Sequence, residues 1–452
     1  MRRPATLMAA AVVLAGAAAT AQAAEPRAAE QDWLPRVVPS GLNPPTGPAP
    51  AIAVIAGGVD LTHPDLAGGA VAQRRLRAPA DAAAAEEGVA RGTAIASVIG
   101  APRDGAGIEG VLPGARVRVY GTDGTCRDAA RAMRRAAGDG AGVVLAGAPF
   151  TGAARCDELG DAVAEATGAG ALVVAPAGDG PLRPAPIRAG DGLHVLTVAA
   201  LDSAGGPAGI SAAGSRTDIA APGASVFAAT PFARDLTDGA ADGYARQDGT
   251  HLAAAMVAAA AAWILAERPG LSPDQVASVL RLTARDLGAP GRDSSTGHGA
   301  LDLAAALGRA APPADSPEPD DDVRWIDGTG AIPARPTLLQ RARTATVAGR
   351  LDTAVDPRDV HPLRLPPGGQ VTVRLAARGR LPVDLYAWQP TAESVLGGDG
   401  ADLISAGRRP RLATETLRIL NDGPTAATMW VEVRADATER RRSGGYLLTA
   451  TR

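Results

Sequence analysis

The chain reads Ile52-Ala-Val-Ile-Ala-Gly-Gly-Val-Asp-Leu-Thr-His-Pro-Asp-Leu66 near its start, and the apolar residues 51–55 predict a short strand. From here strand-like and helix-like stretches alternate as far as residue 309. Such alternation predicts an α/β fold, a parallel sheet with helices on both faces. The apolar residues 252–266 are too few to cross a membrane and predict a helix buried through the middle of this domain.

Two further stretches carry recognisable motifs, Arg91-Gly-Thr-Ala-Ile-Ala-Ser97 and Asp248-Gly-Thr-His-Leu-Ala-Ala-Ala255. With residues 52–66 they resemble, in order, the Asp, His and Ser motifs of the subtilisin-like serine proteases, or subtilases. In that family the motifs read V-I-D-T-G-V-x-x-x-H-P-D-L, H-G-T-x-V-A and S-G-T-S-M-A-A-P. The three catalytic positions are occupied here by Ala56, Arg91 and His251.

Other segments strengthen the resemblance. Val173-Val-Ala-Pro-Ala-Gly-Asp-Gly180 is similar to V-V-A-A-A-G-N-x-G, whose Asn donates to the oxyanion, and that position is Asp179 here. Residues 218–223 match D-I-A-A-P-G, and residues 295–302 resemble the closing motif G-x-G-x-V-D. The resemblance covers residues 50–309 and implies a subtilisin-like sheet with helices on both faces.

The replaced residues remove what the family's chemistry requires. A serine hydroxyl needs an imidazole to take its proton and a carboxylate to orient that ring. Arg91 stays protonated, Ala56 cannot orient a ring, and Asp179 should repel an oxyanion. Loss of one oxyanion donor costs about 10²–10³ in rate, and loss of the nucleophile or base on the order of 10⁶ in a subtilisin. The sequence therefore predicts a pseudopeptidase, a protease fold without catalysis.

A serine endopeptidase with an unconventional site is the alternative. Asp60, His63 and Asp65 lie beside the first motif, but H-P-D-L belongs to the family frame. Ser97 falls inside a predicted helix with no histidine nearby in the pattern. Ser211 and Ser215 fall in a predicted loop.

The replaced residues should converge in one cleft if the fold is kept. An Arg91–Asp179 ion pair beside His251 would neutralise the former site. Alternatively Arg91 and His251, each at a helix N-terminus, are candidate ligands for a carboxylate or phosphate, as in an anion sensor. His251 and Asp179 are too few to hold a metal, so neither a metal nor a cofactor is expected. Pro149, on the former substrate-binding edge, has no N–H to donate to a bound peptide strand.

Residues 1–23 have the pattern of a secretory signal peptide. Arg2 and Arg3 precede an apolar stretch, and Ala21-Gln22-Ala23 has the small residues of a cleavage site. We therefore expect a secreted or periplasmic bacterial protein without a transmembrane segment in the mature chain. Residues 24–49, with six prolines, predict an irregular arm. Secretion permits a disulfide between Cys126 and Cys156, which open helices that are neighbours in the subtilase fold; two separate buried thiols are the alternative.

The C-terminal third of the chain has a different composition and a different pattern of apolar residues. Residues 310–323 are rich in Pro and Asp and predict a semi-extended acidic linker. Residues 324–452 contain alternating stretches near 347–351, 371–375, 383–387, 429–433 and 446–450, which predict an antiparallel β-sandwich. Their G-x-L, P-x-G, D-L-Y and G-x-Y-x-L elements are similar to the bacterial pre-peptidase C-terminal domain.

The charge balance bears on the partner. With 45 basic and 48 acidic residues the net charge is −3, which gives no reason to expect nucleic acid. A protein or peptide partner, bound by a scaffold rather than cleaved by an enzyme, is the remaining expectation.

Overall fold

The computed structural model describes residues 25–75, 81–150, 156–180, 183–184, 194–212, 217–235, 239–288, 290–313, 318–330, 332–353, 356–379, 381–396, 402–407, 414–435 and 443–452. The predicted signal peptide and Ser215 lie outside these residues.

A seven-stranded parallel sheet forms the first part of the chain, as the strand–helix alternation predicts. Its strand order is β2-β3-β1-β4-β5-β8-β9, and two pairs of short strands, β6–β7 and β10–β11, are antiparallel. The strands are β1 (Ala51–Ala56), β2 (Val71–Arg75), β3 (Val117–Gly121), β4 (Ala141–Ala146), β5 (Leu172–Pro176), β6 (Gly178–Asp179), β7 (Arg183–Pro184), β8 (Val195–Leu201), β9 (Ile219–Pro222), β10 (Val226–Ala229) and β11 (Tyr244–Gln247).

Helices cover both faces of the sheet. The helices are α1 (Leu34–Val37), α2 (Ala82–Gly100), α3 (Cys126–Gly138), α4 (Asp157–Gly168), α5 (Thr250–Glu267), α6 (Pro273–Thr283) and α7 (Leu303–Gly308). Helices α3 and α4 pack on one face, and α2, α5 and α6 pack in the core on the other. Helix α6 begins with a reciprocal capping box, which Ser272 and Gln275 form.

Helix α5 is the buried central helix that the sequence predicts. It is long and apolar enough to cross a membrane, but 83% of that window is buried inside the protein. Its run of alanines at 258–262 is fully buried, which lets the helix approach the sheet closely. Helix α5 is therefore a core helix of the domain rather than a membrane span.

Cys126 and Cys156 are joined by a disulfide, with their Cα atoms 6.4 Å apart. Cys126 is the first residue of α3, and Cys156 directly precedes α4. The bond ties together the N-terminal ends of two helices that pack side by side.

A short helix, α8 (Val323–Ile326), leads into eight antiparallel strands. They form two four-stranded sheets, ordered β12-β19-β14-β17 and β13-β18-β15-β16, which share one apolar core. The strands are β12 (Thr344–Asp352), β13 (Arg358–Leu365), β14 (Gln370–Arg378), β15 (Val383–Trp388), β16 (Leu403–Gly407), β17 (Thr414–Leu420), β18 (Ala427–Ala435) and β19 (Ser443–Thr451). The predicted antiparallel architecture is confirmed, with three strands more than the five predicted stretches.

The acidic residues at the C-terminal end of the predicted linker are buried. Asp320, Asp321 and Asp322 are 4%, 0% and 0% exposed. Asp322 caps α8 and accepts hydrogen bonds from Ser394 Oγ and Val395 N at 2.8 and 2.7 Å. The sandwich packs over this segment, so its acidic side chains turn inward instead of facing water.

Candidate functional site

Arg91 and His251 meet at one point of the α/β domain. Ala56 ends β1, and His251 is the second residue of α5, as predicted for a helix N-terminus. The same prediction is wrong for Arg91, which lies in the middle of α2 because that helix begins at Ala82. Arg91 Nη1 lies 3.1 Å from His251 Nδ1. Because a guanidinium can only donate, Nδ1 accepts this hydrogen bond and the ring carries its proton on Nε2.

Arg91 also pairs with Glu87, whose Oε1 lies 3.0 Å from Nη2. The Arg91 side chain is only 8% exposed, so its charge is balanced from within its own helix. Glu87 is not among the residues predicted from the sequence. Its position one helical turn before Arg91 is the signal that could have identified it.

The predicted Arg91–Asp179 ion pair is wrong. Asp179 Oδ1 instead accepts hydrogen bonds from the backbone N and the Oγ1 of Thr250, both at 2.7 Å. Thr250 is the first residue of α5. Gly249, at the N-cap position of this helix, has no side chain with which to cap it. A carboxylate is stabilised at this positive end of the helix, so Asp179 serves as the missing cap.

We expect Asp179→Ala to lower the free energy of unfolding by about 1–2 kcal/mol, because it leaves the first amide of α5 without an acceptor. Asp179→Asn is the matched control, since it keeps an oxygen acceptor and loses only the charge, and should cost less. Chemical denaturation measures both variants. Equal stability of Asp179→Ala and the natural chain would contradict the capping role.

The cleft around Arg91 and His251 has a volume of about 240 Å³ and mixed charge. Arg234, Arg246 and Asp248 also line it. Arg246 is already engaged, with Nη1 2.9 Å from Asp32 Oδ1 and 2.8 Å from Ser225 O. The cleft therefore presents charges that largely compensate one another.

The first motif's polar residues serve the fold. His63 is fully buried, with Nε2 2.8 Å from Gly243 O, and its Nδ1 accepts from Asp65 N at 3.2 Å. The Tyr244 hydroxyl donates to Asp65 Oδ2, while burial raises the pKa of that carboxyl. Both ring nitrogens of His63 are thus occupied by backbone groups, as expected of frame residues.

The serine candidates within the described residues have structural partners. Ser97 Oγ donates to Ala94 O at 2.9 Å and accepts from Ala229 N at 3.1 Å, and Ser211 Oγ accepts from Ala200 N at 3.1 Å. The Oγ atoms of Ser97 and Ser211 are thus both engaged with backbone groups of the fold.

The fold and the motif positions define a subtilisin-like α/β protein that carries Ala56, Arg91 and His251 at the three motif positions. The model of the Subtilase family matches residues 47–299, and the chain belongs to this family. It is 30% identical to fervidolysin of Fervidobacterium pennivorans over 292 residues, which are 57% of this chain and 40% of that protein. It is 32% identical to subtilisin BL of Lederbergia lenta over 54% of this chain and 86% of that one.

Among solved structures, MycP1 from Mycobacterium smegmatis is similar, with a TM-score of 0.50 and 24% identity. That similarity covers 67% of this chain and 89% of the other. At this level of identity the similarity concerns the fold alone.

Proposed function

We propose that this chain is a secreted, catalytically inactive member of the subtilase family that binds a protein or peptide partner. The observation that carries the proposal is the hydrogen bond from Arg91 Nη1 to His251 Nδ1 at 3.1 Å. Arg91 stands at the motif position of the general base, and a guanidinium cannot accept a proton. His251 stands at the position of the nucleophile and uses one ring nitrogen to bind that cation.

The surroundings of this pair support the same conclusion. Ala56 offers no carboxylate, and Asp179 brings a negative charge to the oxyanion position. A site that stabilises an acyl-transfer intermediate needs donors there, not an acceptor. Each catalytic role is thus filled by a residue of the wrong chemistry.

A role as an anion sensor has less support than partner binding. Glu87 already balances Arg91, and Asp179 already occupies the positive end of α5. A phosphate or carboxylate ligand would have to displace both of these carboxylates or bind beside them.

The sequence patterns of the N-terminal residues and of the C-terminal sandwich support the proposed secretion. The N-terminal residues have the pattern of a signal peptide, and the C-terminal sandwich resembles the pre-peptidase C-terminal domain of secreted bacterial proteins. Pro149 disfavours binding of an extended peptide in the manner of a substrate, because it removes a backbone donor from that edge. The chain spans two fifths of fervidolysin, so the activity of that relative is not carried over.

A fluorophosphonate probe, which labels activated serines, tests the proposal on the purified chain. No labelling and no casein cleavage are expected, while subtilisin BL at equal concentration is labelled completely and digests casein. Heat-denatured chain is the background control. A serine adduct located by mass spectrometry, lost when that serine becomes alanine, would overturn the proposal and establish an unconventional endopeptidase.

A further inference from the structure

Several acidic side chains converge where the chain enters the sandwich. Carboxylate oxygens of Glu318, Asp320 and Asp359 all lie within 4.8 Å of one another. The Glu318 side chain is 5% exposed, and Asp320 and Asp359 are 4% and 0% exposed. Like charges held this closely away from water are costly unless a cation or a proton compensates them.

His194 is the histidine nearest to these acidic side chains, but its ring is not placed to bind a metal ion. Its Nδ1 lies 3.2 Å from Asp274 Oδ1, and its Nε2 lies 2.6 Å from Asp321 Oδ2. Burial alone would lower the pKa of His194, but these two carboxylates raise it well above its usual value. Each ring nitrogen faces a carboxylate oxygen to which it can donate, so neither offers a lone pair to zinc, although Glu318 Oε2 is only 3.6 Å from Nε2.

One carboxylate oxygen in this cluster is buried without a donor. Glu318 Oε2 accepts from Asp320 N at 3.1 Å, but Glu318 Oε1 has no hydrogen-bond partner among the described residues. Buried carboxylate oxygens nearly always have a donor or an ion. Burial, followed by the charges of Asp320, Asp356 and Asp359, raises the pKa of Glu318 well above its usual value.

Two donor groups of the protein, a guanidinium and a tyrosine hydroxyl, reach the rim of the cluster. Arg335 Nη2 donates to Pro319 O at 3.3 Å, and the Tyr446 hydroxyl donates to Asp359 Oδ2. Neither contact supplies a donor to Glu318 Oε1. The chemistry around that oxygen is therefore that of a site for a hard cation with oxygen ligands.

We propose that Glu318, Asp320 and Asp359 bind a calcium ion between the interdomain segment and the sandwich. Calcium takes oxygen ligands at about 2.3–2.6 Å, so oxygens on opposite sides of one ion are roughly 4.8 Å apart. Magnesium, with ligands at about 2.0–2.1 Å, needs a tighter set and keeps more of its water.

The ion would join segments that are distant in sequence. Glu318 and Asp320 precede α8, while Asp359 lies in β13 of the sandwich. The neighbouring Asp321 reaches back to His194 at the start of β8, in the α/β domain. A cavity of about 110 Å³ lined by His194, Asp274 and Glu318 lies at this junction and leads toward the site.

Calcium titration of the full chain, first stripped with EDTA, tests the proposal. We expect heat of binding in isothermal calorimetry, with the affinity of extracellular sites, about 10⁻⁴–10⁻³ M or tighter. We also expect 10 mM calcium to raise the unfolding midpoint by at least about 3 °C, and the same concentration of magnesium to raise it less.

Glu318→Gln should abolish both effects. In EDTA this variant should unfold at the same temperature as the natural chain or higher, because the amide removes charge repulsion. Asp320→Asn is the second variant should Glu318→Gln fail to fold. Asp422→Asn, an exposed acid outside the cluster, is the matched control and should keep the full calcium shift.

Three results would overturn the proposal. These are no heat of calcium binding to the natural chain, an undiminished calcium shift in the folded Glu318→Gln variant, or an equal shift with magnesium. Calcium binding is measured independently of peptidase activity, so its outcome leaves the proposed loss of catalysis untouched.

Discussion

A variant carrying Ala56→Asp, Arg91→His, Asp179→Asn and His251→Ser is expected to hydrolyse a p-nitrophenyl ester at least about 10²-fold faster than the natural chain. The reason is that positions 91 and 251 correspond to the family's base and nucleophile, and the 3.1 Å contact of their present side chains shows that both face the same cleft. Loss of the nucleophile or base costs on the order of 10⁶ in a subtilisin, which sets the ceiling for recovery. Fluorophosphonate labelling at position 251 gives the second measurement.

The matched control for this variant keeps Arg91 and carries the other three substitutions. It holds a serine without a base, so it should hydrolyse the ester no faster than the natural chain. Equal rates for the folded four-substitution variant and this control would show that the cleft has changed beyond the four positions. The altered edge at Pro149 would then be the first place to look, because it is where an extended substrate would bind.

Much of the α/β domain could be predicted because each strand and helix has its own local signal. The apolar run of β1 and the alanine-rich α5 are buried whatever their neighbours, and both lie close to where the sequence places them. Strand β2 was missed because it is an edge strand with polar residues, Val71-Ala-Gln-Arg-Arg75. In the sandwich β13 was missed because Pro362 interrupts its pattern.

The candidate site was harder to predict because its contacts depend on packing. The motifs identified Ala56, Arg91, Asp179 and His251, but not which carboxylate pairs with the arginine. Arg91 pairs with Glu87, which lies one turn earlier in the same helix. Asp179 does not pair with Arg91 because it accepts a hydrogen bond from the amide of Thr250 at the start of α5. The burial of Asp320 could not be read from a proline- and aspartate-rich composition, since it depends on the sandwich that covers it.

Gly92→Ala is expected to destabilise the α/β domain by about 3 kcal/mol, although alanine is the better helix former. A Cβ at Gly92 would lie 3.0 Å from Gly58 C and closer still to Gly58 O, where α2 packs against the turn after β1. A backbone carbonyl cannot move aside by changing rotamer, so the helix itself must shift. The gain of about 1 kcal/mol from replacing a helical glycine does not offset this cost.

Gly138→Ala is the matched control, because this glycine ends α3 and a Cβ there meets nothing within 4 Å. It should leave the unfolding midpoint unchanged or raise it slightly, while Gly92→Ala lowers it by several degrees in scanning calorimetry. Equal midpoints for the two variants would mean that α2 can shift away from the turn after β1. The glycine beside Arg91 is thus expected to be required for close packing of α2, and that requirement does not depend on catalysis.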